Sequence, residues 1–333
     1  MEIPAWLWVA FTIGAAATQT LRNAMQRSLT QRLGTIGATH VRFLFGLPFG
    51  LLFLLAAWSW VGLDGIHPSW AWGAWALTGA VCQIAGTALM LAAMRERSFV
   101  VAIAYVKTEP VQIAVFGLAF LGEALGGLST TAVLLATLGV MLMSLPARAG
   151  APVASTGAEP APAHAGGTPA AGAPAEAAAG ERRARGLQAL RPALLGIASG
   201  TMFALSAVGF RGAIVGLGDA AFYVRATVTL AASLAIQTAL LSAWLLARQP
   251  RVLTEIFRAW RPSLLAGVTG ATASQLWFLA FSLQAAAPVR TVALVEILFA
   301  QAASRRLFSQ RLSRREAAGI ALMVAGLLLL INS

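Results

Sequence analysis

The chain has 333 residues, 58% of them hydrophobic and only 11% charged, with a net charge of +12. A soluble domain of this length would carry about a quarter charged residues, so there is too little charge here to cover a surface facing water. With a mean hydropathy of +0.75, the composition excludes a soluble globular protein and points to an all-α integral membrane protein that crosses the bilayer many times.

The positive charge alone would suggest a nucleic-acid partner in a soluble protein. Here the arginines fall in short stretches between apolar runs, where they hold loops in the cytoplasm. The expected partners are therefore the lipid bilayer and a small-molecule substrate, with no nucleic acid, in a monomer or homodimer. Cys82 is the only cysteine, so no intrachain disulfide forms. His40, His67 and His164 lack metal-ligand spacing, and no metal or cofactor is expected. There is no HExxH, no GxSxG and no aspartate pair, since only Asp64 and Asp219 exist, so the chain is not expected to be an enzyme. The absence of GxxxxGK[ST] disfavours drive by ATP.

A helix of about 20 apolar residues crosses a bilayer core. Helix is required there, because backbone groups in hydrocarbon must be satisfied within the segment. The predicted spans are roughly 4–26, 35–59, 69–94, 98–121, 128–146, 193–214, 220–247, 262–286, 288–305 and 315–332. MEIPAWLWVAF lacks a basic leader and runs straight into the first span, so it reads as a helix and not as a cleaved signal. Tryptophans gather at span ends, among them Trp6, Trp58, Trp60, Trp70, Trp72, Trp244 and Trp260, as interfacial anchors. Gly46 with Gly50, and Gly196 with Gly200, allow close contact between helices.

Three units are expected: a five-span repeat over 1–146, a disordered cytoplasmic linker over 147–190, and a second five-span repeat over 191–333. The linker, APVASTGAEPAPAHAGG and onward, is rich in Ala, Pro and Gly and cannot build a core. TGAVCQIAGTALMLA at 78–92 sits over TGATASQLWFLAFSL at 269–283. Glu109 aligns with Glu296, and LGVMLM at 138–143 with AGLLLL at 325–330, both at an offset of 187. ATHVRF and AFYVRA place Arg42 over Arg225. Five is an odd number, so a second copy enters from the other side and the repeat is inverted, a plan that recurs in transporters.

About 18 of the 23 arginines follow odd-numbered spans, and Arg211 and Arg290 are counted on the opposite side. This places the linker in the cytoplasm and both termini outside. The setting expected is a bacterial-type inner (plasma) membrane.

The chain resembles the drug/metabolite transporter superfamily, in its ten-helix branch with two EamA-type domains. The resemblance rests on LRNAMQRSLTQRLGTIGATHVRFLFGLPFGLLF (21–53), AYVKTEPVQIAVFGLAFLGEAL (104–125) and GIALMVAGLLLL (319–330). It implies secondary transport, often export, of a small metabolite through a cavity between the two halves. Two departures matter. Many members have cytoplasmic termini, and here Gln310 stands where Glu123 stands in the first half, with no proline corresponding to Pro110.

A charge at mid-membrane costs at least about 2.5–3.5 kcal/mol and usually faces a partner or a cavity. Candidates for substrate or proton binding are Arg42, Lys107, Glu109, Arg225 and Glu296. Glu109 shares a helix face with Gln112 and Phe116. Lys107, the only lysine, lies about 200° around that helix from Glu109, so it is expected to meet another helix. Pro110 frees the carbonyl of Val106, and a kink is expected near Lys107. A buried lysine can release its proton where an arginine cannot. Gln83, Gln275 and Tyr223 are further candidates, and Gln19, Asn23, His40, Gln112, Gln237, Gln284 and Gln301 complete the polar set within spans.

The function expected is a secondary transporter, by alternating access and with proton-coupled or facilitated exchange, that exports an amino-acid-like metabolite or another zwitterion or anion. The alternative is a flippase for a lipid-linked or amphiphilic substrate.

Overall fold

The computed structural model describes residues 3–96, 106–144, 175–299 and 314–333. Its regular structure is helical throughout. The long first element, α1 (Leu7–Leu44), is broken at Gly34, whose φ is 69°. Gln26 Nε2 donates to the carbonyl of Ala38 at 3.0 Å. Twelve residues of unbroken helix would span about 18 Å, so the chain doubles back at Gly34. Glycine holds that left-handed conformation without a side-chain penalty. This turn separates the first two predicted spans, and the second arm continues through Pro48 into α2 (Leu47–Val61).

Next come α3 (Trp70–Glu96), α4 (Glu109–Leu121) and α5 (Gly127–Ser144). Then follow α6 (Ala175–Val215), α7 (Phe222–Arg248), α8 (Pro250–Arg258) and α9 (Trp260–Leu283). The order ends with α10 (Ala286–Val292), a 3₁₀ turn (Ala293–Val295), a helix resuming at 296, and α11 (Arg314–Ile331). The short α8 occupies a stretch expected to be loop, with Ile256 packed beside Leu245.

Among the described residues five stretches are long and apolar enough to cross a membrane: 28–61, Trp70–Met94, Ala193–Val215, Phe222–Arg248 and Trp260–Leu283. Their outward side chains include exposed Leu52, Leu55, Leu77 and Leu246. Lipid is the only solvent that accepts such a surface. Trp60 and Trp70, 91% and 87% exposed, flank one helix connection as anchors.

The structure corrects the expected linker. Disorder over 147–190 gives way to helix from Ala175 onward. The segment AEAAAGERRARGLQALR is built from Ala, Glu, Arg and Leu, the strongest helix formers. Proline ends at Pro174, and one compositional label for the whole segment hid that change. Residues 145–174, like 97–105 of the fourth predicted span and 300–313 around the ninth, lie outside the described residues.

Packing is crossed between the halves of the chain. Helix α1 runs along α9, α6 along α3, and α5 against α11. Small residues let the backbones touch. A Cβ added at Gly209 would lie 2.9 Å from the backbone nitrogen of Gly79, and one at Gly139 would lie 2.6 Å from the Gly319 carbonyl oxygen. Close van der Waals contact of this kind holds membrane helices together where hydrophobic drive is absent. The central cluster draws Ile113, Phe210, Phe278 and Val289 from both halves.

Two helix breaks position the site. The first is a turn at Lys107 and Thr108, just before α4. Pro110 has no N–H for the Val106 carbonyl, which accounts for the turn, while residues 97–105 on the far side of the expected kink lie outside the described residues. The second is the 3₁₀ turn at Ala293–Val295. It stands at the offset of 187 from the first, although Ile297 replaces the proline there.

Candidate functional site

Helix α4 begins with Glu109, buried among packed helices. Its carboxylate is gripped by the Arg290 guanidinium in a two-point pair, Nε to Oε1 at 2.6 Å and Nη2 to Oε2 at 2.7 Å. Two parallel charge-assisted bonds of this kind fix both partners in angle as well as distance. The face of the Arg290 guanidinium lies 4.4 Å from the Trp277 ring centre, within cation–π range.

On the other side of the break, the Lys107 ammonium pairs with Glu296 Oε1, both side chains being buried. The second oxygen of Glu296 accepts from Gln19 Nε2 at 3.1 Å. Gln19 in turn accepts from Trp277 Nε1 at 3.0 Å. Trp277 therefore links the two pairs. Each acid of one half holds a cation of the other: Glu109 with Arg290, and Glu296 with Lys107. Burial of these charges is tolerable because each has an opposite charge as its partner.

Arg22 and Arg42 stand beside the pairs, both buried. Arg22 Nη2 donates to Asn23 Oδ1 at 2.8 Å, and Arg42 Nη1 to Thr87 Oγ1 at 3.2 Å. The charged residues surround one cavity with about 600 Å³ of empty space, its mouth included. Gln19, Gln83, Ser206, Ser274 and the rings of Phe210, Trp277, Phe278 and Phe281 complete most of its wall. Gln83 Oε1 accepts from Gln237 at 2.7 Å.

A third ion pair lies apart from the cavity. Arg211 Nε meets Glu123 Oε1 at 2.8 Å, and Arg211 also donates to the Phe281 carbonyl. It ties the end of α4 to α6 and α9.

Residues 6–145 match the EamA-like transporter family. The first half of the chain therefore carries an EamA-like transporter domain. One solved crystal structure superposes on this transporter with a TM-score of 0.63 at 15% identity, over 98% of this chain and 94% of the other. At that identity the shared property is the fold. No curated protein matches the chain. The chain is thus a multi-pass membrane transporter.

Of the residues singled out in the transporter's sequence, the cavity brings together Arg42, Lys107, Glu109, Glu296 and Gln83. Lys107 meets another helix, as its angle from Glu109 requires. The remaining four stand elsewhere. Arg225, half-buried, donates to the Gly218 carbonyl at 3.4 Å. Gln112 turns to Thr108 Oγ1 at 3.1 Å, one helical turn back. Gln275 donates to Thr227 Oγ1 at 2.8 Å. Tyr223 rests edge-on against Phe222.

Two cationic wall residues were missed by sequence reasoning. Arg290 counted as an outer-loop arginine because it follows a span end near 286. It stands six residues before Glu296 in the apolar run AAPVRTVALVE, a signal like the one that found Glu109. Arg22 was passed over inside the first span. The same argument, that a charge within a span needs a partner or a cavity, applies to both.

Proposed function

We propose that the transporter is secondary: it moves a small metabolite by alternating access, with proton exchange at Glu109 and Glu296 as the drive. The observation that carries this reading is the crossed pairing of the two halves, Glu109 with Arg290 and Lys107 with Glu296. Both acids stand at helix breaks separated by the repeat offset. Broken helices at the repeat interface are where secondary transporters place their sites.

The chemistry follows from charge. While both acids are ionised, the two pairs lock the halves together at the cavity. Protonating Glu296 removes the charge that holds Lys107, and protonating Glu109 releases Arg290. Each release frees one bond between the halves and leaves a cation facing the cavity. A solute or a returning proton then determines which side opens. The crossed packing of α1 on α9 and α6 on α3 supports a ten-helix inverted repeat as the frame for this motion. The arginine distribution supports a cytoplasmic linker, and export then runs from the linker side outward.

The test uses proteoliposomes, an imposed pH gradient and no ATP, with a solute found by thermal-shift screening. Glu109→Gln and Glu296→Gln should each abolish gradient-driven movement, while at least one retains solute counterflow. Normal gradient-driven transport in both variants sinks this choice of coupling site.

A further inference from the structure

The two ion pairs leave a charge unaccounted for. Six charged side chains line the cavity: Arg22, Arg42, Lys107 and Arg290 against Glu109 and Glu296. Lys107 and Arg290 use both carboxylates. Arg22 and Arg42 have only neutral acceptors, Asn23 and Thr87, among the described residues. Arg22 Nε and Nη1 are buried with no acceptor among the described residues. Guanidinium groups stay protonated in proteins, so this charge cannot be shed as a lysine's can.

The two side chains also converge. Both pack against Gly270 of α9, where an added Cβ would lie 3.3 Å from Arg42 Cγ and 3.5 Å from Arg22 Cδ. Their stems pass one spot from the two arms of the α1 hairpin. Such an arrangement is costly empty and favourable when an anion enters, because unpartnered N–H groups then gain charged acceptors.

We propose that Arg22 and Arg42 form an anion subsite, and that the transported solute is a small soluble metabolite bearing a carboxylate or phosphate. This deepens the transporter reading by naming the substrate class of its cavity. The anionic group takes bonds from both guanidinium groups. The rings of Phe210, Trp277 and Phe278 enclose the rest of the solute. The cavity's formal charge of +2, four cations less two anions, falls as the anion binds.

The test is binding, measured by thermal shift on the purified full-length protein at constant ionic strength. The probes are succinate, L-glutamate, sn-glycerol 3-phosphate, uncharged succinamide and short-chain phosphatidylglycerol. At least one soluble anion should raise the melting temperature saturably, and succinamide should not. Arg22→Gln and Arg42→Gln should each weaken that anion about tenfold or more, the loss of about one charged hydrogen bond. Each variant without ligand should melt no lower than the wild type, because it removes an uncompensated buried charge. The proposal is overturned if no soluble anion binds, if succinamide binds equally, if only the lipid responds, or if both variants bind the anion normally. A lower melting temperature of unliganded Arg22→Gln also overturns it, since that marks a structural ion partner. Binding without gradient-driven movement in liposomes would sink the transport cycle and leave the site. Movement of a cation insensitive to Arg22→Gln would sink the site and leave the cycle.

Discussion

Glu109 and Arg290 are joined by two parallel bonds, 2.6 and 2.7 Å long, across the boundary between the halves of the chain. Removing one partner strands the other in a buried site, which costs about 3–5 kcal/mol. Glu109→Gln and Arg290→Gln should each lower the melting temperature in mild detergent. The double variant should lose much less than the sum, because neither charge is then stranded. Additive losses in this cycle would show that the pair does not couple the halves.

Lys107 is the chain's only lysine, and it is buried on the cavity wall. Its ammonium meets Glu296 Oε1, while Gln19 takes the other oxygen. An arginine there keeps the charge but puts a larger, planar head against Glu296, at about 1–3 kcal/mol. It also cannot release a proton. Lys107→Arg should cut gradient-driven transport about tenfold or more, a barrier change of about 1.4 kcal/mol. An unchanged rate would exclude a special role for lysine.

The break before α4 depends on a glycine in another helix. A Cβ at Gly200 of α6 would lie 2.9 Å from the Val106 carbonyl oxygen and 3.3 Å from Thr108 Oγ1. That carbonyl is the one Pro110 leaves without a helical donor, and as backbone it cannot swing aside. Gly200→Ala should therefore destabilise by about 1–3 kcal/mol and impair transport. Gly73→Ala is the control. Nothing lies within 4 Å of a Cβ there, and the gain in helix propensity is about 1 kcal/mol. Equal behaviour of the two variants in thermal unfolding would remove Gly200 from the mechanism.

The Arg211–Glu123 pair should respond differently from the Glu109–Arg290 pair. Arg211 and Glu123 are 16% and 21% exposed at the side chain, against 10% and 2% for Arg290 and Glu109. Partial access to solvent lowers the worth of a pair towards the surface range of about 0–1 kcal/mol. Glu123→Gln should cost clearly less stability than Glu109→Gln, and its cost should shrink further in high salt. A loss equal to that of Glu109→Gln would place Arg211 in a desolvated core.

Much of this arrangement was readable in the sequence, for physical reasons. Apolar runs must become helices in lipid, so the helices follow from hydropathy. A proline in such a run must break it, so the turn at Lys107 follows from Pro110. A charge there must find a partner, so Glu109, Glu296 and Lys107 stood out. The partners did not follow. Lys107 reaches Glu296 across 189 residues of chain, and only tertiary packing brings them together. The 3₁₀ turn at Ala293–Val295 has no proline to announce it. Arg225 matched Arg42 in sequence, yet it bonds to the Gly218 carbonyl in a helix connection, because an alignment of halves does not set side-chain depth.

The expected orientation, with the linker cytoplasmic and both termini outside, rests on the arginine distribution. Arg211 and Arg290 were the two counted against the cytoplasmic majority. Arg290 is engaged with Glu109 and Arg211 with Glu123, so neither marks an outer loop. With both removed from the count, the positive-inside bias becomes stronger. The measurement starts from Cys82→Ala, which removes the only cysteine. Thr168→Cys in the linker should then react with a membrane-impermeant maleimide only after the cytoplasmic face is exposed. Ser333→Cys, beyond α11, should react in intact cells. The reverse pattern would invert the transporter in the membrane, and the direction of export with it, while leaving every contact in the cavity as it is.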